Sequence, residues 1–296
     1  MGSEWSLPVD RELMARIEAE RETFDRIAAA RLRRLVPHRP SPHPSAWLDL
    51  RATPNPRLRS LLVEGLPGRP LESLVKGCRV LELGGSGEAT PGFLDAGASW
   101  VDQLDVSPGM LELARARLTE DQRPRVEQHV AAAETLPFAD DTFDIVYSRH
   151  CLHHMQRERV FPEVARVLAP TGWFLFIEPY LPRWIRGLVS LRRGLLRVDR
   201  GSDDPLTSVD LRHAERSFGQ LRLGAAPNAA VLVRGLPPLA KTLARLQRQR
   251  PLPTSLIHHV GGRIMVLAQE PRACSEGGTT GRCPLWLGPQ RLAKSE

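Results

Sequence analysis

The sequence predicts an α/β domain built on a mostly parallel sheet with helices on both faces. Three observations carry this expectation. From Cys78 onward, short apolar runs of strand length alternate with helical patterns; the first run enters a glycine-rich turn that opens a helix; and an acid closes the second run. A chain of 296 residues, 42% hydrophobic, is long enough for one such domain with additions.

In chain order, Leu13, Met14, Ile17, Phe24, Ile27, Ala28, Leu32 and Leu35 recur at three-and-four spacing, which predicts an amphipathic N-terminal helix or a pair. The stretch Val36 to Pro56 is dense in proline, which removes backbone donors and breaks helices, so it reads as an irregular linker. A short helix is expected near Leu58 to Leu66. Strands then follow at Arg79–Leu83, Trp100–Asp105, Val126–Val130, Phe143–Ser148 and Trp173–Glu178, with helices at Ala89–Ala96, Pro108–Leu118 and Arg157–Leu168. Gly262–Gln269 reads as one more strand. The chain therefore divides into a helical cap and linker over 1–70, the main domain over 71–271 with an insertion at about 180–215, and a flexible tail over 272–296.

The net charge is +7, but the arginines are spread singly and in pairs among acids along the whole chain. That pattern predicts a solvated basic surface, and nucleic acid is not the expected partner. The four cysteines (Cys78, Cys151, Cys274 and Cys283) form no CxxC pair, so neither a disulfide framework nor a metal site is expected. No apolar run reaches membrane-span length, and the first thirty residues alternate acids and bases with no signal-peptide core; a cytoplasmic protein with no integral membrane segment is the expectation.

The chemistry-bearing signal begins at Val80-Leu81-Glu82-Leu83-Gly84-Gly85-Ser86-Gly87, a strand, a glycine-rich turn and the entry to a helix. At the carboxyl end of a strand in an open parallel sheet, glycine lets backbone amides approach a ligand with no Cβ in the way. Asp105 ends the next strand, where a carboxylate can accept two hydrogen bonds from ribose hydroxyls. Ser107 suits an N-cap with Pro108 at the first helical position. Asp105 alone would suit an NAD ribose equally well, but the turn lacks G-x-G-x-x-G spacing.

Four blocks in order, ELGGSG at Glu82–Gly87, DVSPGMLELARARL at Asp105–Leu118, AAETLPFADDTFDIVYSRHCLHH at Ala132–His154 and EVARVLAPTGWFLFIEP at Glu163–Pro179, resemble the class I S-adenosylmethionine-dependent methyltransferases, particularly the small-molecule, quinone and natural-product group. Glu20–Ala28 is similar to the N-terminal lid helix of such enzymes. The resemblance implies a Rossmann-like seven-stranded sheet and S-adenosyl-L-methionine as cofactor. Glu82, Gly84, Gly85, Ser86 and Gly87 would shape the pocket for its methionine part. Asp105 would hold the ribose, Val106 and Met110 would pack on the adenine, and Ala133 with Glu134 would border it. Ser148 to His154 would face the reactive methyl. The sequence departs from the family pattern at Ser86 and Glu88, where loop glycines are usual, and at Ala132, where an acid is usual.

On the reactive side, His150, His153 and His154 cluster after the fourth strand, and imidazole titrates near neutral pH. His153 is the first candidate base, with His150 expected to face away; the alternative is a helix entry that merely lines the pocket. His258 and His259 are expected to be structural. In the insertion, Trp184, Ile185, Leu188 and Leu191 would line an apolar substrate pocket under a lid, or else belong to a surface helix. Together these point to methyl transfer to a small or lipid-like organic acceptor. The rival readings are a nucleic-acid methyltransferase and a non-catalytic binding protein that keeps the fold.

Overall fold

The computed structural model describes residues 11–33, 74–84, 87–187, 204–227, 242–243, 246 and 256–271. Seven strands, β1 (Arg79–Leu83), β2 (Trp100–Asp105), β3 (Val126–Val130), β4 (Phe143–Arg149), β5 (Leu168–Tyr180), β6 (Phe218–Pro227) and β7 (Gly262–Pro271), form one sheet in the order β3-β2-β1-β4-β5-β7-β6. The β3-β2-β1-β4-β5 pairs are parallel, and β7 runs antiparallel to both its neighbours. The expected mostly parallel seven-stranded α/β architecture is the one observed.

Around it lie α1 (Arg11–Leu32), α2 (Thr90–Asp95), α3 (Pro108–Arg115), α4 (Arg157–Val167), α5 (Ser208–Ser217) and the short α6 (Ile257–Val260). The alternation of the strands decides which face each helix covers. On one face, Leu81, Val146, Phe174, Phe176 and Val266 pack with Phe161 and Val164 of α4 and Leu211 and Ala214 of α5. The other face packs Val80, Tyr147, Leu175 and Met265 against Phe93 and Leu94 of α2. A third, smaller cluster joins Ala28 of α1 to Met110 and Leu113 of α3, with Phe24 and Leu32 against it.

Registers bring the functional strand ends to a common edge. Leu83 lies opposite Leu104 on β2 and Ser148 on β4, so Asp105 and Arg149 each stand one residue beyond the end of β1 at the carboxyl edge. Two elements differ from expectation. β5 begins five residues earlier than the apolar run at Trp173, because Phe143 pairs with Leu168 and Ile145 with Trp173, leaving Ala169–Gly172 as an irregularity inside the strand. β6 was not anticipated from the sequence at all.

The insertion after β5 is closed at its base. Leu181 N donates to Leu206 O (2.8 Å) and Leu206 N to Pro179 O (2.9 Å). The Arg157 guanidinium, buried on α4, holds the return: Nη2 lies 2.8 Å from Asp204 Oδ2 and Nε 2.8 Å from Asp210 Oδ1. The linker 36–56, the short helix near Leu58–Leu66, Gly85, Ser86, Leu188, Leu191, and the tail with Cys274 and Cys283 lie outside the described residues. Among the described residues, no helix is long and apolar enough to cross a membrane.

Candidate functional site

A cavity of about 280 Å³ opens at the carboxyl edge, between the ends of β1, β2 and β4 and beneath α1. Its size stands at the lower end for a small-molecule site.

The turn after β1 forms its floor. Glu82, buried, turns back to hold the start of α2: Oε2 accepts from Thr90 N (3.1 Å) and from the Thr90 hydroxyl, and Oε1 accepts from Ala89 N (3.3 Å). This carboxylate meets backbone donors that a helix start leaves unsatisfied. Burial nevertheless raises its pKa. Gly84 has φ +67°, and a Cβ there would fall 2.7 Å from Cys151 Sγ, so both backbone conformation and close approach require glycine. Gly87 is also left-handed (φ +64°), but its hydrogen faces Ala114 and Gln103, and it packs the turn against α3 outside the cavity lining. Glu88 precedes the helix, lies on the cavity rim, and pairs with Arg117 at 3.6 Å.

Asp105 closes β2 on the cavity wall. Its Oδ1 accepts from Ser107 N at 2.9 Å. Burial pushes its pKa up to about 7, the Ser107 N–H opposes the shift, and the nearby Asp25 and Glu20 carboxylates add to it. Ser107 caps α3 as expected, its Oγ accepting from Met110 N (3.0 Å), with Pro108 in the first turn. Val106, Met110, Ala133 and Glu134 all line the cavity with Asp105.

The roof is α1, and here sequence reasoning had the element but not the contacts. Asp25 Oδ1 accepts from Ser107 Oγ (2.5 Å) and Gly109 N (2.9 Å), and Arg16 reaches Glu134 Oε1 (2.5 Å) and His154 O (3.0 Å). The Phe24 ring meets His154 edge-on at 5.1 Å. These partners are more than 80 positions apart in sequence, so no local spacing could have revealed them.

The third wall follows β4. His150 adopts φ +54° and lines the cavity; its pKa is lowered to about 4, by burial first and then by the cations Arg263 and Arg149. His154 also lines the cavity, with Nδ1 3.5 Å from Glu20 Oε1. His153, the first candidate base, is turned away: Nδ1 lies 2.6 Å from Glu178 Oε2, and it is not part of the lining. Glu178 is fully buried and its Oε1 accepts from Cys151 N (2.8 Å) and Leu152 N (2.9 Å). Cys151 faces the cavity, and burial raises its thiol well above the usual range, which keeps it protonated. Ser148 is buried on the opposite side of β4 from Tyr147 and lies outside the lining; among the described residues its Oγ meets no hydrogen-bond partner. Trp184 is 54% exposed and also outside the lining, whereas its neighbour Ile185 is buried. His258 Nδ1 stands 3.1 Å from the Tyr180 hydroxyl, away from the cavity.

Such a site defines the class: an open α/β sheet with a glycine-bearing first turn, an acid closing the second strand, and a ligand cavity between them at the carboxyl edge. Residues 81–176 match the family model of a methyltransferase domain. Over this segment, about a third of its length, the chain is similar to the methyltransferase-domain family. It is 36% identical over 109 residues to an uncharacterized methyltransferase of Bacillus subtilis, covering 35% of this chain and 42% of that one. It is 38% identical over 117 residues to a demethylmenaquinone methyltransferase of Clavibacter sepedonicus, covering 38% and 47%. A crystal structure described as a putative sarcosine dimethylglycine methyltransferase from Galdieria sulphuraria superposes with a TM-score of 0.51 at 16% identity over 73% of this chain and 86% of that one, a likeness of fold. The chain spans about half the length of the first curated relatives it matches.

Proposed function

We propose that the chain transfers a methyl group from S-adenosyl-L-methionine to a small or lipid-like organic acceptor. The observation that carries this is Asp105 at the end of β2, facing the same cavity as the Gly84 turn. The residues fit the cofactor chemically. Glu20, Glu82, Asp105 and Glu134 border the cavity and suit a ligand bearing a sulfonium and an ammonium group.

In this reading Glu82 and Gly84 fix the turn around the methionine part, Asp105 accepts from the ribose hydroxyls, and Val106, Met110 and Ala133 pack on the adenine. Bound there, the cofactor supplies an electrophilic methyl, so the protein's share is to position and desolvate the acceptor. α1, pinned to both Ser107 and Glu134, covers the cavity and excludes water. His150, neutral at pH 7, is placed to accept a hydrogen bond from an acceptor hydroxyl, while His153 holds the loop through Glu178. Trp184, exposed beside the closed base of the insertion, is kept as a candidate acceptor contact, as is Leu188 beyond it.

The test is calorimetric titration with S-adenosylmethionine and S-adenosylhomocysteine, followed by a methyl-release screen against small phenols, carboxylic acids, amines and quinones. Binding of both ligands with turnover on one acceptor class is expected. Binding of neither would overturn the reading, and binding with no turnover on any class would favour a binding protein.

A further inference from the structure

Two arginines, Arg149 on the cavity wall and Arg263 at the same sheet edge, stand near His150. On β4, Ile145 and Tyr147 belong to one face of the sheet, and Arg149, two residues on, continues that face to the carboxyl edge. On β7, Met265 and Leu267 belong to the same face, and Arg263, two residues before Met265, reaches the same edge from the antiparallel direction. Between them runs β5, where Arg149 is opposite Ile177 and Arg263 opposite Pro179. The two arginines thus flank β5 from either side, offset by two residues along it, with Cα atoms roughly 12 Å apart, within reach of one bound group by their long side chains. His150 is fastened over this point, its N donating to Ile177 O at 2.9 Å. Its left-handed φ is costly for a residue with a Cβ and aims the ring into the cavity, a placement typical of functional positions.

Resting on the proposed function, we infer that the methyl acceptor is an anion, a carboxylate-bearing compound or an acidic hydroxyl compound, held between Arg149 and Arg263 beside His150. The cations that contribute to keeping His150 neutral also favour a negative group next to it; Glu178 opposes them, and its carboxylate is engaged by His153 and two backbone amides. Arg149 and Arg263 would then be specificity-determining residues, with guanidinium forks suited to planar carboxylates. With Arg149 on the cavity wall and Arg263 at the same sheet edge, an anionic acceptor would be drawn toward a cationic methyl donor.

The experiment titrates the full chain, saturated with S-adenosylhomocysteine, with benzoate and with its neutral analogue benzamide. Benzoate should bind at least about tenfold more tightly than benzamide. Arg149→Gln and Arg263→Gln should each remove most of that preference, Arg263→Gln without changing S-adenosylhomocysteine affinity, and Arg263→Lys should retain part of it. Equal affinity for the two probes, no binding of either, or a preference that survives both Gln variants would overturn the inference while leaving cofactor binding intact. Failure of S-adenosylhomocysteine itself to bind would instead overturn the proposed function and this inference with it.

Discussion

Glu178 Oε2 lies 2.6 Å from His153 Nδ1 at the end of β5, and the same carboxylate accepts two backbone amides through Oε1. This buried pair shapes the whole loop from Cys151 to His154, because it fixes which histidines can turn toward the cavity. Removing Glu178 leaves three buried donors unsatisfied, so Glu178→Ala should cost about 3 kcal/mol or more in chemical denaturation. His153→Ala removes one partner and should cost about 1–3 kcal/mol, with the pH profile of turnover unchanged. A shifted profile at unchanged stability would return His153 to the candidate bases.

Asp105 carries a pH dependence whose sign can be worked out. Its pKa is about 7 in the folded protein, against about 4 in an unfolded chain. The folded state therefore keeps a proton that the unfolded chain has lost, and this group's contribution to stability, present below about pH 4, is lost as pH rises through 7. Ribose hydroxyls donate to the ionised form. S-adenosylhomocysteine affinity should thus weaken below pH 7, by up to about tenfold per pH unit. Asp105→Asn should bind about 1–3 kcal/mol more weakly at pH 8 and lose the slope. Titrations in buffers of different ionisation heat would measure the proton released, and zero release at pH 6 would contradict the assignment.

Gly84 and Cys151 form a pair whose coupling can be measured. Gly84→Ala adds a Cβ at 2.7 Å from Cys151 Sγ on a left-handed backbone. The loss should be about 1–3 kcal/mol in stability, together with weaker S-adenosylhomocysteine binding. Cys151→Ala removes the sulfur but leaves the Cβ contact at 2.8 Å and the φ penalty. The double variant should accordingly be more stable than the sum of the two single losses implies. Strict additivity would show that the sulfur is not what requires glycine here, leaving the backbone angle and the Cys151 Cβ.

How far the sequence reached depends on where each determinant lies. β1, β2 and β3 have the limits expected; β1 and β2 are almost wholly buried, as strands inside a parallel sheet are, whereas β3 is a polar, partly exposed edge strand bounded by valines. β6 escaped because an edge strand needs no continuous apolar run: Gln220, Arg222 and Leu223 are exposed, and Gly219 and Gly224 interrupt the pattern. The start of β5 escaped because Ala169-Pro-Thr-Gly reads as a turn, which it is, within a strand that resumes pairing. At the site, the turn at Gly84, the acid at Asp105 and the cap at Ser107 are local signals and were legible. Which of three neighbouring histidines faces the cavity depends on Glu178, some 25 residues away, and the pinning of α1 depends on Asp25 and Arg16 meeting residues from distant strand ends. Such partners become visible only when the chain is folded.

The last expectation concerns Arg157, whose guanidinium joins α4 to both Asp204 and Asp210 at the base of the insertion. Asp210 is half of a capping box with Thr207, its Oδ2 accepting from Thr207 N at 2.7 Å while Oδ1 faces Arg157. Burial works to raise the pKa of Asp210, but the attraction and hydrogen bond of Arg157 outweigh it, and the net shift is downward. A depressed carboxylate pKa contributes stability above the unfolded value near 4 and loses it as pH falls through the folded value, so this pair should hold at neutral pH and fail only in acid. Arg157→Met keeps the side-chain volume but strands a buried carboxylate, at a cost of about 3–5 kcal/mol. The amides of Leu181 and Leu206, which close the insertion, should exchange with solvent faster in that variant, because Asp204 loses its tie to α4. Adding Asp210→Asn removes the stranded charge while an amide oxygen can still accept from Thr207, so the double variant should regain a large part of the lost stability. Melting curves and hydrogen exchange on the wild type, Arg157→Met and the double variant would decide this. If Asp210→Asn fails to rescue Arg157→Met, the cost lies in lost packing around Arg157 and not in the buried charge.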